Sequence, residues 1–160
     1  MKRIPAVFLL IALMTLGSDV LFAAVPKTPE VHWLKYNEAM EKAKTSAKLV
    51  FVDLYADWCV PCRVMEKTVY SDPTVVSLLN NRFIPVKLDV DSEDSITCDG
   101  IKSTARACYS EVWELSVIPA FVLVAPKGLS ILTVTDSMSP QEMRMLLYKF
   151  LEKEKEWIER

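Results

Sequence analysis

The 160-residue chain has no excess of basic residues, no N-terminal apolar run long enough to span a membrane and only one histidine, His32. Its 19 lysines and arginines are balanced by 21 aspartates and glutamates, so its composition does not indicate binding to nucleic acid or to an anionic membrane surface. The N-terminal apolar run, residues 4–16, is shorter than the roughly 20 residues that a transmembrane helix needs. Four cysteines are too few to build a small domain from disulfides, so a hydrophobic core must carry the fold.

The N-terminus has the pattern of an export signal. Lys2 and Arg3 precede the apolar run, as is typical of a secretory signal peptide. We predict that residues 1–24 are a signal peptide cleaved near Ala23 or Ala24; an uncleaved N-terminal membrane anchor is the alternative. Residues 25–160 then form a single domain in the periplasm or another exported location, where disulfides can persist.

Hydrophobic periodicity predicts nine elements in the order α, β, α, α, β, α, β, β, α. Early β–α–β units followed by a hairpin and a helix predict an α/β domain, with a mixed central sheet and helices on both faces. The polar residues 91–103 are predicted to be a loop. The helices are placed near residues 36–47, after Cys59, and near 73–79, 104–115 and 140–151; the strands are placed at 49–56, 83–90, 120–125 and 129–135.

Two cysteines separated by two residues lie between a predicted strand and a predicted helix. This placement of Cys59 and Cys62 is typical of a redox-active pair, because a helix N-terminus stabilises a thiolate. We expect Cys59 to be the exposed nucleophile and Cys62 the buried thiol that resolves a mixed disulfide. A zinc site and a purely structural bridge remain alternatives, although a four-cysteine zinc site would normally have two closely spaced pairs.

Residues 52–62, with the sequence VDLYADWCVPC, resemble the active-site segment of the thioredoxin superfamily. Within it they most closely resemble the C-terminal thioredoxin-like domain of the bacterial membrane thiol:disulfide interchange protein DsbD. The similarity continues at residues 66–67, 70–73, 86–90 and 117–121, and covers roughly residues 33–152. It implies a thioredoxin fold with a cis-proline, to which this chain adds an inserted loop and helix before that proline.

The resemblance implies roles for two acids near the cysteine pair. Asp53 matches the buried acid that handles the proton of Cys62, and burial would raise its affinity for protons. Lys87, on the neighbouring strand, is a candidate partner for Asp53. Glu66 matches a second acid one helical turn beyond Cys62. A paired core acid and an exposed helix glutamate are the plainer interpretations of Asp53 and Glu66.

The resemblance also implies a binding surface for substrate. Trp58 matches the indole that covers the active site, and Pro119 matches the family's cis-proline beside Cys59. The backbone of Ile118 would then pair with an extended substrate segment. A packing role for Trp58 and a trans Pro119 are the plainer alternatives. The residues between the two cysteines differ from those of the DsbD domain, which leaves the direction of electron flow open.

The second cysteine pair falls in a stretch longer than the family normally has. We expect Cys98 and Cys108 to form a structural disulfide that pins an inserted loop and helix, residues 92–115. Closing such a loop contributes roughly 2–3 kcal/mol in the chain-entropy model. A second redox relay, free thiols and intermolecular bonds are the alternatives.

Taken together, the residues and the resemblance predict an exported, monomeric thiol:disulfide oxidoreductase. It would reduce or exchange disulfides in periplasmic proteins and receive electrons from a membrane or periplasmic donor. Neither a bound cofactor or metal nor a nucleic acid is expected. The alternatives are a disulfide oxidase or isomerase that uses the same site, a maturation chaperone that binds copper or an apocytochrome, and an adaptor without chemistry.

Overall fold

The computed structural model describes residues 29–159, and the predicted signal peptide lies outside the described residues. Within that range, no helix has both the length and the apolarity needed to cross a membrane. The helices are α1 Tyr36–Ser46, α2 Val60–Thr68, α3 Pro73–Arg82, α4 Ala105–Ala107 with a π-helical turn Cys108–Val112, α5 Pro140–Glu152 and α6 Glu154–Ile158. The strands are β1 Val50–Tyr55, β2 Ile84–Asp89, β3 Ser95–Cys98, β4 Ile101–Thr104, β5 Ala120–Val124 and β6 Ser130–Val134.

Four strands form the central sheet, in the order β2-β1-β5-β6. The strands β1 and β2 are parallel, because α2 and α3 make the crossover between them. The pairs β1–β5 and β5–β6 are antiparallel. The predicted mixed sheet is therefore confirmed.

The central strand β1 is buried on both faces, and its residues alternate between two cores. Val50, Val52 and Leu54 pack with α1 in one core, whereas Phe51 packs in the other with residues of α2, α3 and α5. Because successive side chains of a strand point to opposite faces, Asp53 shares the face of Phe51. The strand thereby places this acid under α2, the helix that begins beside the cysteines.

Two helix starts follow the capping signals in the sequence. Asp72 accepts hydrogen bonds from two amides in the first turn of α3, which begins with Pro73. Ser139 and Glu142 form a reciprocal capping box at the start of α5. Both helices begin where the sequence analysis placed them, at residues 73 and 140.

The inserted segment contains a hairpin that the sequence analysis missed. The strands β3 and β4 form a separate two-stranded sheet, so the prediction that residues 91–103 are a loop is wrong for residues 95–98 and 101–103. Residue 104, the predicted first residue of a helix, ends β4. Asp99 and Gly100 join the strands with φ values of 49° and 81°. An Asp-Gly pair favours this left-handed two-residue turn, and it was the signal available in the sequence.

Candidate active site

Cys59 and Cys62 lie at the start of α2, just beyond the C-terminal end of β1, and are joined by a disulfide. Cys59 is the N-cap residue, and its Sγ accepts a hydrogen bond of 3.2 Å from the amide of Cys62. In the dithiol form, the same amide and the positive end of the helix would favour a thiolate at Cys59. Pro61 occupies the first turn, where a missing N–H costs no helical hydrogen bond.

Neither cysteine is open to solvent in this oxidised state. Cys59 is 2% exposed and Cys62 is 8% exposed, so the expectation of an exposed Cys59 is wrong here. The reason is that the Cys59 sulfur is turned onto the first turn of α2, where it bonds to Cys62. The assignment of Cys59 as nucleophile therefore depends on its position at the helix terminus and not on its exposure.

Asp53 is the only charged residue that is buried among residues 29–159. The hydroxyl of Tyr70 donates a hydrogen bond of 2.8 Å to its Oδ1. Lys87 lies opposite Asp53 on β2, but its ammonium group forms an ion pair with Glu66. The direct partner of the buried acid is therefore Tyr70, which the sequence analysis missed, and not the candidate Lys87.

A cavity of about 180 Å³ is lined by both the buried acid and Cys62. The ion pair between Glu66 and Lys87 belongs to its wall. The Lys87 ammonium lies 5.6 Å from the ring centre of Trp33 and 5.1 Å from that of Tyr55, which holds the cation in place. The cavity is lined by Asp53, Tyr55, Ala56, Asp57, Cys62, Arg63, Glu66 and Lys87.

Burial raises the pKa of Asp53 from its ordinary value of 3.8 to about 7. The hydrogen bond from Tyr70 and the charge of Lys87 act in the opposite direction, and the charge of Glu66 adds to the rise. A group with a pKa near 7 can both accept and release a proton at neutral pH. The arrangement can therefore move a proton to or from the Cys62 sulfur.

The peptide bond between Ile118 and Pro119 is cis, as the resemblance implies. The following strand, β5, begins at Ala120, which pairs with Leu54 near the end of β1. Because the cysteines follow β1 directly, the cis bond and the disulfide lie at the same end of the sheet. Pro119 is buried and Ile118 is half-buried.

A sequence model of the thioredoxin-like family matches residues 32–126. This range runs from α1 to the end of β5 and contains both cysteine pairs. The chain belongs to the thioredoxin-like family. This membership confirms the predicted fold and the predicted enzyme class, a thiol:disulfide oxidoreductase.

Curated relatives of this chain are thiol:disulfide interchange proteins. The thiol:disulfide interchange protein DsbD of Pseudomonas fluorescens is 39% identical over 57 residues, which are 35% of this chain and 10% of that protein. DsbD 1 of Pseudomonas aeruginosa is 38% identical over 72 residues, 40% of this chain and 12% of that protein. The chain thus spans only about a tenth of the length of these curated relatives.

Solved structures share the thioredoxin-like fold. The solution structure of a thioredoxin from Thermus thermophilus has a TM-score of 0.62 and 25% identity, covering 78% of this chain and 90% of that one. The reduced C-terminal domain of DsbD from Neisseria meningitidis has a TM-score of 0.52 and 17% identity, covering 71% and 91%. At that identity, the second likeness concerns the fold alone.

The indole beside the cysteine pair is tied to Asp91, the residue that directly precedes the inserted segment. Trp58 is 65% exposed, and its Nε1 donates a hydrogen bond of 2.7 Å to Oδ2 of Asp91. Arg106 of α4 donates to the backbone carbonyl of Asp91 at 2.9 Å and also pairs with Glu93 at 2.7 Å. Asp91 and Arg106 were missed by the sequence analysis, because their meeting depends on how the inserted segment folds back.

Replacing Asp91 with alanine is expected to release the Trp58 indole, because it removes the acceptor of its only polar atom. The release should appear as increased acrylamide quenching of Trp58 fluorescence, isolated by subtracting the signal of a Trp58→Phe variant. Asp91→Asn is the matched control, since it keeps an acceptor oxygen and should quench as the unmodified protein does. Equal quenching in Asp91→Ala would mean that this hydrogen bond does not hold the indole.

Cys98 and Cys108 form the second disulfide, with the expected pairing. It ties the end of β3 to the π-helical turn, and both residues are completely buried. Within residues 29–159, no group of three or more histidines, cysteines or acids is placed to hold a metal ion.

Proposed function

We propose that this chain is an exported thiol:disulfide oxidoreductase that reduces disulfides in proteins outside the cytoplasm. Cys59 and Cys62 are the redox pair, Asp53 is the proton acceptor and donor for Cys62, and Glu66 is a second acid beside it. Trp58, Ile118 and Pro119 contact the substrate segment. The dithiol carries the electrons itself, so the reaction needs no bound cofactor.

One observation carries the proposal: the disulfide, the buried acid and the cis-proline occur together at one end of the sheet. A disulfide that only stabilised the fold would not need a buried carboxyl in a shared cavity. Burying that carboxyl is costly unless it serves a purpose, because a buried charge loses its hydration.

In the proposed reaction, the Cys59 thiolate attacks one sulfur of a substrate disulfide and releases the other sulfur as a thiolate, which takes up a proton. Asp53 then accepts the proton of Cys62. The Cys62 thiolate attacks the Cys59 sulfur of the mixed disulfide and releases the second substrate sulfur as a thiolate, which takes up that proton from Asp53. The substrate gains two electrons and two protons, and the protein keeps the Cys59–Cys62 disulfide.

The location and the electron donor are part of the proposal. The N-terminal pattern supports export to the periplasm or another exported location, and the similarity to a segment of a thiol:disulfide interchange protein supports action on disulfides. The oxidised pair would then be reduced again by a membrane or periplasmic dithiol donor. The chain is proposed to act as a monomer.

The reduction potential of the Cys59–Cys62 pair tests the direction of the reaction. A reductase should have a potential close to the value of about −270 mV found for thioredoxin. The pair should also reduce insulin when dithiothreitol is supplied. A potential of about −120 mV, typical of a strong oxidant, would contradict the reductase and favour the oxidase. Tight stoichiometric copper binding without insulin reduction would favour the maturation chaperone.

A Cys62→Ser variant is expected to capture its substrates as stable mixed disulfides on Cys59. The reason is that the thiol that normally resolves the adduct is missing. The adducts should appear on non-reducing gels of the exported protein fraction and disappear with reductant. The matched control is the double variant Cys59→Ser/Cys62→Ser, which keeps the Cys98–Cys108 disulfide. Equal adducts in both variants would contradict the assignment of Cys59.

A further inference from the structure

Tyr70 contacts the buried acid from a position that the redox motif does not include. It lies just after the end of α2, where its amide donates to the carbonyl of Met65 at 3.1 Å. Its ring packs edge-on against Trp33, with the ring centres 4.9 Å apart. Its hydroxyl reaches Oδ1 of Asp53 at 2.8 Å, and both residues are buried.

We propose that Tyr70 is a positioning residue for proton transfer between Asp53 and Cys62. The hydroxyl engages Oδ1 of the carboxylate, which leaves Oδ2 as the oxygen that exchanges the proton with the Cys62 sulfur through the shared cavity. This role rests on the proposed oxidoreductase function, since it assigns a partner to the acid of that same site.

The geometry of Tyr70 is held from two sides. The end of α2 fixes its backbone, and the Trp33 ring limits the rotation of its own ring. Because α2 also carries Cys62 in its first turn, one helix places both the thiol and the hydroxyl that orients the acid. The Tyr70 hydroxyl remains a donor at neutral pH, because burial and the nearby Asp53 raise its pKa well above its ordinary value of 10.

The Tyr70 hydroxyl acts on Asp53 in the same direction as Lys87, and against burial and Glu66. Burial and the charge of Glu66 on α2 favour the neutral acid, whereas Lys87 on β2 favours the carboxylate. From β5, the residue opposite Asp53 is Phe121, which carries no charge. A hydrogen bond from a hydroxyl is stronger to a carboxylate than to a carboxylic acid, so Tyr70 favours the ionised form. Removing the hydroxyl should therefore leave the acid protonated to higher pH.

A Tyr70→Phe variant is expected to raise the protonation midpoint of Asp53 by about one pH unit, since hydrogen bonds to charged groups are the strong ones. Insulin reduction at pH 7 should then fall about fivefold, because a smaller fraction of the acid is ionised, and should recover by pH 9. A residue that only packed would lower the rate equally at every pH.

The midpoint can be measured without turnover, from the infrared carboxyl band of the oxidised protein, assigned by its loss in Asp53→Asn. The matched control is Tyr36→Phe, which also removes one buried hydroxyl, but one with no hydrogen-bond partner among residues 29–159. It should leave the midpoint unchanged. Site-specific 3-fluorotyrosine at position 70, a more acidic donor in the same shape, should lower the midpoint.

The two measurements separate the proposals. An infrared midpoint that is the same in Tyr70→Phe and in the unmodified protein would overturn the role of Tyr70, whatever the activity. A shifted midpoint in a protein that does not reduce insulin would support the Tyr70–Asp53 coupling and contradict the proposed function. If Tyr70→Phe does not fold, an unchanged midpoint in the 3-fluorotyrosine protein would overturn the role equally.

Discussion

Replacing Asp53 with asparagine is expected to stabilise the protein by about 4 kcal/mol at pH 8, because a pKa raised from 3.8 to about 7 costs about 1.4 kcal/mol per unit. The acid is fully buried, so this cost is not screened by solvent. Asparagine has nearly the same shape and can still accept the Tyr70 hydrogen bond. The same change should slow disulfide reduction by about 100-fold, the usual contribution of a general acid or base.

The stabilisation should depend on pH in a defined direction. Between about pH 4 and pH 7, the unfolded chain loses the Asp53 proton while the folded protein keeps it. The folded protein therefore loses stability as pH rises through this window, and the loss levels off above pH 7. Below pH 4, Asp53 is protonated in both the folded and the unfolded protein. Its ionisation then contributes no difference in stability between the variant and the unmodified protein.

Urea unfolding of the oxidised proteins at pH 4, 6 and 8 measures this effect. Glu41→Gln is the matched control, because Glu41 is an exposed acid on α1 that is paired with Lys44 and is not among the charges that act on Asp53, so its change should give little of this pH-dependent gain. Equal stability of Asp53→Asn and the unmodified protein at pH 8 would contradict the raised pKa. If Asp53→Asn is more stable but fully active, the pKa of Asp53 is raised in the unmodified protein, but Asp53 takes no part in the proton transfer.

Removing the second disulfide is expected to lower the free energy of unfolding by about 3 kcal/mol. In the chain-entropy model this is the contribution of closing a loop with a separation of 10 residues. The change is Cys98→Ala together with Cys108→Ala, which avoids leaving one buried free thiol. Loss of two completely buried sulfurs from the core would add to the cost.

The same disulfide should also resist mild reduction. Exchange requires a thiolate to reach a disulfide sulfur. Cys98 and Cys108 are both 0% exposed, whereas Cys62 is 8% exposed and lines the cavity that it shares with Asp53. We expect two free thiols per chain in the folded protein with dithiothreitol, and four after unfolding. Four thiols in the folded protein would contradict a structural role and favour the relay. Unchanged stability of the double variant in urea would contradict the stabilising role.

Local patterns in the sequence predicted most of the central elements. The β1 segment was recognisable as a strand because it is apolar on both faces, and α3 and α5 were recognisable from their capping residues. The Asp99-Gly100 hairpin was missed because its short strands are polar and half-exposed. For such strands, turn chemistry is a stronger signal than hydrophobic periodicity.

The sequence by itself determined the positions of the proposed redox pair and of the acid on β1. A two-residue spacing at a strand-to-helix junction places Cys59 and Cys62 at the start of α2, and strand alternation places Asp53 on one face of the sheet. These are local consequences of helix and strand geometry, so they could be inferred before any contact was known. The cis state of Pro119 was implied by the resemblance alone.

Only the tertiary structure decided which side chains meet. Tyr70 and not Lys87 bonds Asp53, Lys87 turns to Glu66, and Asp91 holds Trp58. It also decided that Cys59 is covered in the disulfide state. Partners separated by 17, 21 and 33 residues in the chain are brought together by the packing of helices and the inserted segment on the sheet. No local pattern specifies such distant packing.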